Sequence, residues 1–166
     1  MSYCPACASP LLRFDGVRKY TCPACGWVFY QNVAAAVMVA LTRGDEVLFS
    51  ERAREPGRGR LDLPGGFVDP DESAEEAAAR EIREELGLEG LAFTYLGSAP
   101  NTYPYAGVIY KTCDLVFTAA IDRVPAIRAP EEITRLVLAR PADIDPARIA
   151  FSSVHHALAL LGAGGG

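Results

Sequence analysis

"DESAEEAAAREIREELGL", Asp71–Leu88, sets seven acids in one short stretch. Ser73 followed three residues later by Glu76 is a capping-box signature, and Gly87 stands where a helix C-cap belongs. Nearly every residue between them is a good helix former, so a helix is predicted between these two caps. Within it Glu81, Glu84 and Glu85 recur at spacings of three and four. At about 100° per residue they share one sector roughly 100° wide. Ala78, Ile82 and Leu86 form an apolar strip beside them, so the acids border the buried face. Like charges at these spacings destabilise a helix by roughly 0.2–0.5 kcal/mol per pair. One reading is a solvated acidic face, partly screened by Arg80 and Arg83. The other is a hard cation held on this edge by carboxylates. Spacing within the helix leaves both open.

The residues upstream choose between them. Gly66, five residues, Glu72, seven residues, then Arg80-Glu81-Ile82-x-Glu84-Glu85-x-Gly87-Leu88 complete the pattern G-x5-E-x7-R-E-U-x-E-E-x-G-U, with U aliphatic. This is the Nudix box, and on these residues the chain resembles the Nudix hydrolases. The resemblance implies an α/β/α sandwich around a mixed sheet, with the box as loop–helix–loop. It also implies hydrolysis of nucleoside diphosphates linked to another moiety, with Mg²⁺ or Mn²⁺. Glu84 and Glu85 would be metal ligands, Glu81 a ligand or the base for the attacking water, and Glu72 and Arg80 orienting partners. The Gly65 carbonyl is a further candidate ligand. An acid outside the box often completes such a site; Glu132, in "PEEITRL", is the first candidate, Glu131 the second and Asp114 the third. The chemistry fits: clustered carboxylates recruit cations that neutralise a pyrophosphate, acidify bound water and orient it for in-line attack.

The 166 residues suit one ordinary domain and a small accessory module, and half of them are hydrophobic, which argues against disorder. The longest apolar run, "VAAAVMVAL" (Val33–Leu41), is strand-sized, so no membrane span is expected. No basic region followed by an apolar stretch opens the chain, and the expected location is the cytoplasm. A net charge of −5 disfavours non-specific binding to a nucleic-acid backbone.

Four of the five cysteines, Cys4, Cys7, Cys22 and Cys25, form two C-x-x-C pairs that read as a tetrahedral Cys₄ site for structural Zn²⁺. Two disulfides or a redox C-x-x-C fit less well without a secretion signal or a βαβ context. Cys113 reads as a small buried hydrophobe. The expected organisation is a zinc ribbon over residues 1–30, a Nudix hydrolase domain over 31–161 and a flexible tail over 162–166. Strands are predicted at Val33–Leu41, Glu46–Glu51, Leu91–Gly97, Lys111–Ile121 and Leu136–Ala139. "SAPNTYPYAG" lies between the third and fourth, and a terminal helix covers Phe151–Leu161.

A Cys₄ ribbon ahead of a Nudix box is similar to the NADH pyrophosphatase branch, which cleaves reduced NAD into NMNH and AMP. That branch carries a further domain ahead of its ribbon, and this sequence opens on the ribbon. It also carries S-Q-P-W-P-F-P-x-S after the box. Here Ser98 and Pro100 match, but Asn101, Tyr103 and Tyr105 stand where the Trp and Phe are not found. The resemblance thus implies a small-molecule nucleotide substrate, dinucleotide-like or ADP-ribose-like, without fixing NADH, and a homodimer by analogy alone. Tyr103 and Tyr105 are candidates to stack on a base, with packing over the sheet edge equally open. Arg52 and Arg60, in a loop that also holds Arg54 and Arg58, are candidates to clamp phosphates, with solvated loop arginines the alternative. Two other functions remain in view: a nucleotide-sensing regulator that binds without turnover, and a nucleoside triphosphate or capped-RNA hydrolase.

Overall fold

The computed structural model describes residues 1–163, which fall into two compact units, Met1–Val33 and a second from Ala34 onward. The first holds three short antiparallel strands in order, β1 (Arg13–Phe14), β2 (Lys19–Thr21) and β3 (Val28–Tyr30). Its interior is small: Cys4 and Cys22 are buried, while aromatic rings stack in pairs, Phe14 on Tyr20 at 4.6 Å and Trp27 on Phe29 at 5.7 Å. The Trp27 ring thus lies against Phe29 of its own unit.

The second unit runs β4 (Ala34–Arg43), β5 (Glu46–Arg52), β6 (Leu61–Asp62), β7 (Gly65–Phe67), α1 (Ala74–Leu86), β8 (Thr94–Tyr105), β9 (Val108–Ala120), β10 (Ile133–Ala139) and α2 (Ser152–Ala163). The sheet order is β10-β5-β4-β9-β8, and it is mixed, because β4 and β9 pair in parallel from Ala34 opposite Thr112 to Thr42 opposite Ala120. Side chains alternate across the sheet. Val37, Val39 and Leu41 join Phe117 and Ala119 under Ala78, Ile82 and Leu86 of α1. Met38, Ala40, Phe49 and Val116 face Val154 and Ala157 of α2 on the other side. The fold is therefore an α/β/α sandwich. A central strand buried on both faces reads as an unbroken apolar run, which is why "VAAAVMVAL" shows no alternation.

The sheet splits near its middle. β4 and β5 pair only at Leu41–Arg43 with Glu46–Leu48. Beyond that β4 takes β7 as a partner and β5 takes β6. Strand β7, which carries the box glycine, thus enters the gap between two central strands.

The segment after Gly97 differs from the sequence reading. "SAPNTYPYAG" is not a connection: β8 continues to Tyr105 and turns into β9 through Ala106 and Gly107, with φ of 48° and 78°. Two positive-φ residues make a type I′ hairpin turn. Pro100 and Pro104 suggest a loop, but β8 is an edge strand, where a missing N–H need not break the ladder. Conversely, Leu91 and Phe93 precede the strand and pack their side chains against the core under α1. Gly162 and Ala163, assigned above to a tail, close α2; residues 164–166 of that tail lie outside the described residues. Among the described residues no helix is long and apolar enough to cross a membrane.

Candidate active site

Helix α1 is capped as its sequence requires. Ser73 and Glu76 form the reciprocal capping box, and Gly87 adopts φ 65° and donates its N–H to the Arg83 carbonyl. The acidic sector does more than border the core: Glu85 is itself buried, 6% exposed, and accepts the Gly65 N–H at 3.1 Å. Two glycines make room for this approach. Gly65 has φ 148°, and a Cβ there would collide with the Val37 carbonyl of β4; a Cβ on Gly66 would overlap the Glu81 carboxylate. The box glycine is a spatial requirement of Glu81.

Arg80 organises the remaining acids. Its guanidinium donates to both Glu72 oxygens at 2.9 Å, to Glu81 at 2.8 Å, to Glu84 at 3.4 Å and to the Phe67 carbonyl at 2.9 Å. Glu72 also accepts the Asp69 N–H, so the loop before the helix is fastened to the helix face. Arg80, then the Asp69 N–H, hold the Glu72 carboxyl below its ordinary value. Burial pushes Glu81 upward, against the Arg80 charge and with help from Glu84 and Glu132. Glu85 is pushed much further, by burial first and then by Glu81, with Glu132 and Asp62 adding to the same effect. Four carboxylates thus converge where one of them has no cationic partner in contact. Gly66→Ala should weaken Mn²⁺ binding by about 10- to 100-fold, the scale for disturbing what orients a metal ligand. Isothermal titration calorimetry with Mn²⁺ checks this, and unchanged affinity would show that Glu81 need not sit where it does.

Glu81, Glu84 and Glu85 line a cavity of about 440 Å³ in the sheet split; Glu72 and Arg80 do not line it and act on it through Glu81. Gly65, Glu81, Glu84, Glu85, Glu132, Arg52, Tyr103 and Tyr105 all reach it; Arg60 does not and lines a neighbouring shallow groove with Arg58 and Pro104. Glu132 comes from the residue just before β10 and pairs with Arg54 at 2.6 Å. Arg52 is already engaged. It donates to Asp62 at 2.7 Å, to the Pro56 carbonyl at 2.6 Å and to the Tyr103 hydroxyl at 3.2 Å, and stacks on Phe151 at 5.0 Å. Asp62 is buried, and burial lifts its carboxyl even against the Arg52 charge. Such a guanidinium is a fixed wall of the cavity rather than a free clamp.

Sequence reasoning passes over Asp62, Thr112, Phe67, Phe151 and Ser153, all of which line the cavity. A signal exists for Asp62, which interrupts Leu61 and Leu63 as the polar member of an alternating triplet. Ser153 and Phe151 carry none, because only the packing of α2 brings them to the sheet.

In the first unit the Sγ atoms of Cys4, Cys7, Cys22 and Cys25 lie within 4.8 Å of one another. The closest pairs, Cys4–Cys25 and Cys7–Cys22, stand at 3.7 Å. Tetrahedral Zn–S bonds of about 2.3 Å place sulfurs about 3.8 Å apart, so the spacing fits one ion and not two disulfides. The two knuckles repeat each other. Ala8 and Gly26 donate to the Cys4 and Cys22 carbonyls, while the Cys4 and Cys22 N–H groups reach Ser9 and Trp27. Cys113 is half-buried on β9 and is not one of the four.

A mixed sheet split around a glycine-entered, glutamate-faced helix defines a Nudix-type site. Residues 32–157 match the NUDIX domain family, and the chain belongs to it. It is 31% identical over 150 residues to the NAD-capped RNA hydrolase NudC of Stutzerimonas stutzeri, covering 82% of this chain and 54% of that protein. The chain therefore spans about half the length of that curated relative. Among solved structures, a MutT NUDIX hydrolase from Burkholderia pseudomallei superposes with a TM-score of 0.69 at 26% identity, over 79% of this chain and 99% of that one. A NUDIX hydrolase from Nitrosomonas europaea matches with a TM-score of 0.65 at 27% identity, over 95% of this chain and 88% of that one.

Proposed function

We propose that this chain is a Mg²⁺- or Mn²⁺-dependent pyrophosphohydrolase that cleaves a nucleoside diphosphate linked to a second moiety, of the dinucleotide kind. The observation that carries the reading is the convergence of Glu81, Glu84, Glu85 and Glu132 on one cavity, with Glu85 buried and unpaired by any cationic side chain in contact. All donors are hard oxygens, the set that suits Mg²⁺ and Mn²⁺ rather than zinc. Glu81, Glu84, Glu85, Glu132 and the Gly65 carbonyl would hold the ions. When bound, such ions neutralise the pyrophosphate and lower the pKa of water.

The chain's own groups supply the rest. Arg80 fixes Glu72 and Glu81 by charge-assisted bonds, which presets their orientation before substrate arrives. Burial raises Glu81 and Glu85 above the ordinary carboxylate range, and both reach the cavity among the proposed metal ligands, so these two are placed to hold or take the water proton. Tyr103, with Phe67 edge-on at 5.7 Å and Phe151 at 5.6 Å, offers a planar group an aromatic wall. Zn²⁺ on the four cysteines is structural in this reading, since four thiolates close the coordination sphere.

The curated relative's name adds that the dinucleotide need not be free, because NAD at the 5′ end of an RNA presents the same pyrophosphate. The test is a product assay with Mg²⁺ and then Mn²⁺ on NADH, NAD⁺, ADP-ribose, FAD, nucleoside triphosphates and a 5′-NAD-capped RNA. Cleavage of NAD-type substrates to mononucleotides supports the proposal. Preference for triphosphates removes the dinucleotide part, and no turnover by folded, zinc-loaded protein favours a ligand-binding regulator.

A further inference from the structure

Beyond the glutamates, the same cavity is lined by polar groups that the hydrolytic chemistry does not use. The register of the β8–β9 hairpin places Asp114 opposite Ala99, Thr112 opposite Asn101 and Tyr110 opposite Tyr103, so Asn101, Tyr103, Thr112 and Asp114 share one face. Asp114 is 3% exposed yet lines the cavity. One of its oxygens, Oδ1, accepts the Thr112 hydroxyl at 2.5 Å; among the described residues the other has no protein donor, and no basic side chain pairs with it. At the start of α2, Ser153 is 1% exposed and also lines the cavity. Its hydroxyl is the one buried side-chain polar atom without a hydrogen-bond partner among the described residues.

The Ser153 hydroxyl is costly to leave as it is. A buried hydroxyl without a partner forfeits the hydrogen bonds it would make to water, and the second Asp114 oxygen is left without a protein donor. Folded proteins retain such groups where a ligand satisfies them. The two ask for complementary things. Asp114 can only accept, and so seeks an N–H; the Ser153 O–H is free to donate, and so seeks an acceptor. The same cavity has planar walls: Tyr103, Phe67, Phe151 and the Arg52 guanidinium, which bonds Asp62 and lies 5.0 Å from the Phe151 ring centre. A ring with an amino N–H beside an acceptor fits this description.

We propose that Asp114 and Ser153 form a specificity pocket for the heterocycle of the substrate, reading an amide-like edge in which an N–H₂ lies next to an acceptor. Asp114 takes the amino proton and Ser153 donates to its neighbour. Adenine, through its 6-amino group and ring nitrogen, and nicotinamide, through its carboxamide, both carry that edge. The pocket rests on the dinucleotide reading above for its biological ligand, but its chemistry can be probed without hydrolysis.

The probes are the product mononucleotides, measured by calorimetry with the zinc-loaded protein. AMP is compared with IMP, which replaces the amino group by an oxo group, and nicotinamide mononucleotide with nicotinic acid mononucleotide, which replaces the carboxamide by a carboxylate. The expected result is a preference of about tenfold or more for the amino-bearing member of at least one pair, the scale at which a polar site rejects an analogue that leaves its groups unpaired. The pair that discriminates identifies the ring. Asp114→Asn should erase most of that preference. Ser153→Ala should weaken the favoured ligand severalfold without lowering the thermal midpoint, because the hydroxyl has no bond to lose in the free protein. Equal binding within both pairs overturns the proposal, and needs no variant. So does a Ser153→Ala protein with lowered stability and unchanged affinity, or an Asp114→Asn protein that loses Mn²⁺ binding, which would make Asp114 a metal ligand. Loss of turnover on every dinucleotide with discrimination intact would sink the hydrolase reading and leave this pocket standing.

Discussion

Glu85→Gln is expected to reduce turnover of the preferred substrate by on the order of 10²- to 10⁴-fold, the range for losing a group that moves a proton or stabilises developing charge. The substitution keeps the shape and the Gly65 N–H contact but removes a buried negative charge beside Glu81. Its effect on stability should have the opposite sign in metal-free protein. Burial and then Glu81 raise the folded Glu85 carboxyl well above its ordinary value. A carboxyl raised on folding contributes stability that is complete below its unfolded pKa, about 4.3, and is lost as pH rises through the folded value. Near pH 7 the wild-type chain, stripped of divalent metal, therefore carries a penalty that the glutamine does not. The variant should unfold at the same temperature or higher under EDTA, and the difference should shrink as pH falls toward 4. Added Mn²⁺ should reverse the order, since an ion that binds only the folded state stabilises it by about 2.7 kcal/mol at a hundredfold excess over Kd. Differential scanning fluorimetry with and without Mn²⁺, beside steady-state kinetics, separates these effects. Near-normal turnover would reject the proposed role, and an unchanged Mn²⁺-induced shift would remove Glu85 from the ligand set.

The box was legible because its parts are close in sequence. Glu72 and Arg80 are one loop and two helical turns apart, and their ion pair follows once Ser73 starts the helix. The cysteine knuckles are equally local. What the sequence withheld was the depth of Glu85, since helical spacing marks a sector but not which edge of it meets β7. The opposite wall was withheld altogether. Arg52, Asp62, Tyr103 and Phe151 come from β5, β6, β8 and the approach to α2, and they meet only because the sheet splits and the helix covers the gap. Arg52 and Arg60 look alike in a loop rich in arginine, yet one is locked into that wall and the other faces the adjacent groove. Two prolines concealed the length of β8, because their cost depends on whether a strand lies at the edge, and that is settled by the whole topology. Ser153 had no visible signal at all; its interest lies in a partner it lacks.

Cys22→Ser is expected to abolish stable Zn²⁺ binding and unfold the first unit. Of the four sulfurs, Cys22 is one of the two that are buried, and its backbone carries both knuckle bonds, to Trp27 and from Gly26. A serine hydroxyl is a hard, protonated oxygen where the ion takes thiolates, so three ligands and an open position would remain. Binding free energies for structural zinc in small modules are about 10–16 kcal/mol, and in such modules that is folding free energy. Three strands of two or three residues with a few stacked rings bury too little apolar surface to replace it. The second unit has its own two-sided core, so the loss should be confined to the residues before Ala34. Metal analysis should fall from about one zinc per chain to a small fraction, and amide exchange should accelerate in residues 1–33 while β4, β9 and α1 stay protected. Cys113→Ser serves as the control, because Cys113 lies on β9 and contributes nothing to the cluster. Full zinc stoichiometry in Cys22→Ser would take the ribbon assignment away. Global unfolding would mean instead that the second unit depends on the ribbon for its fold.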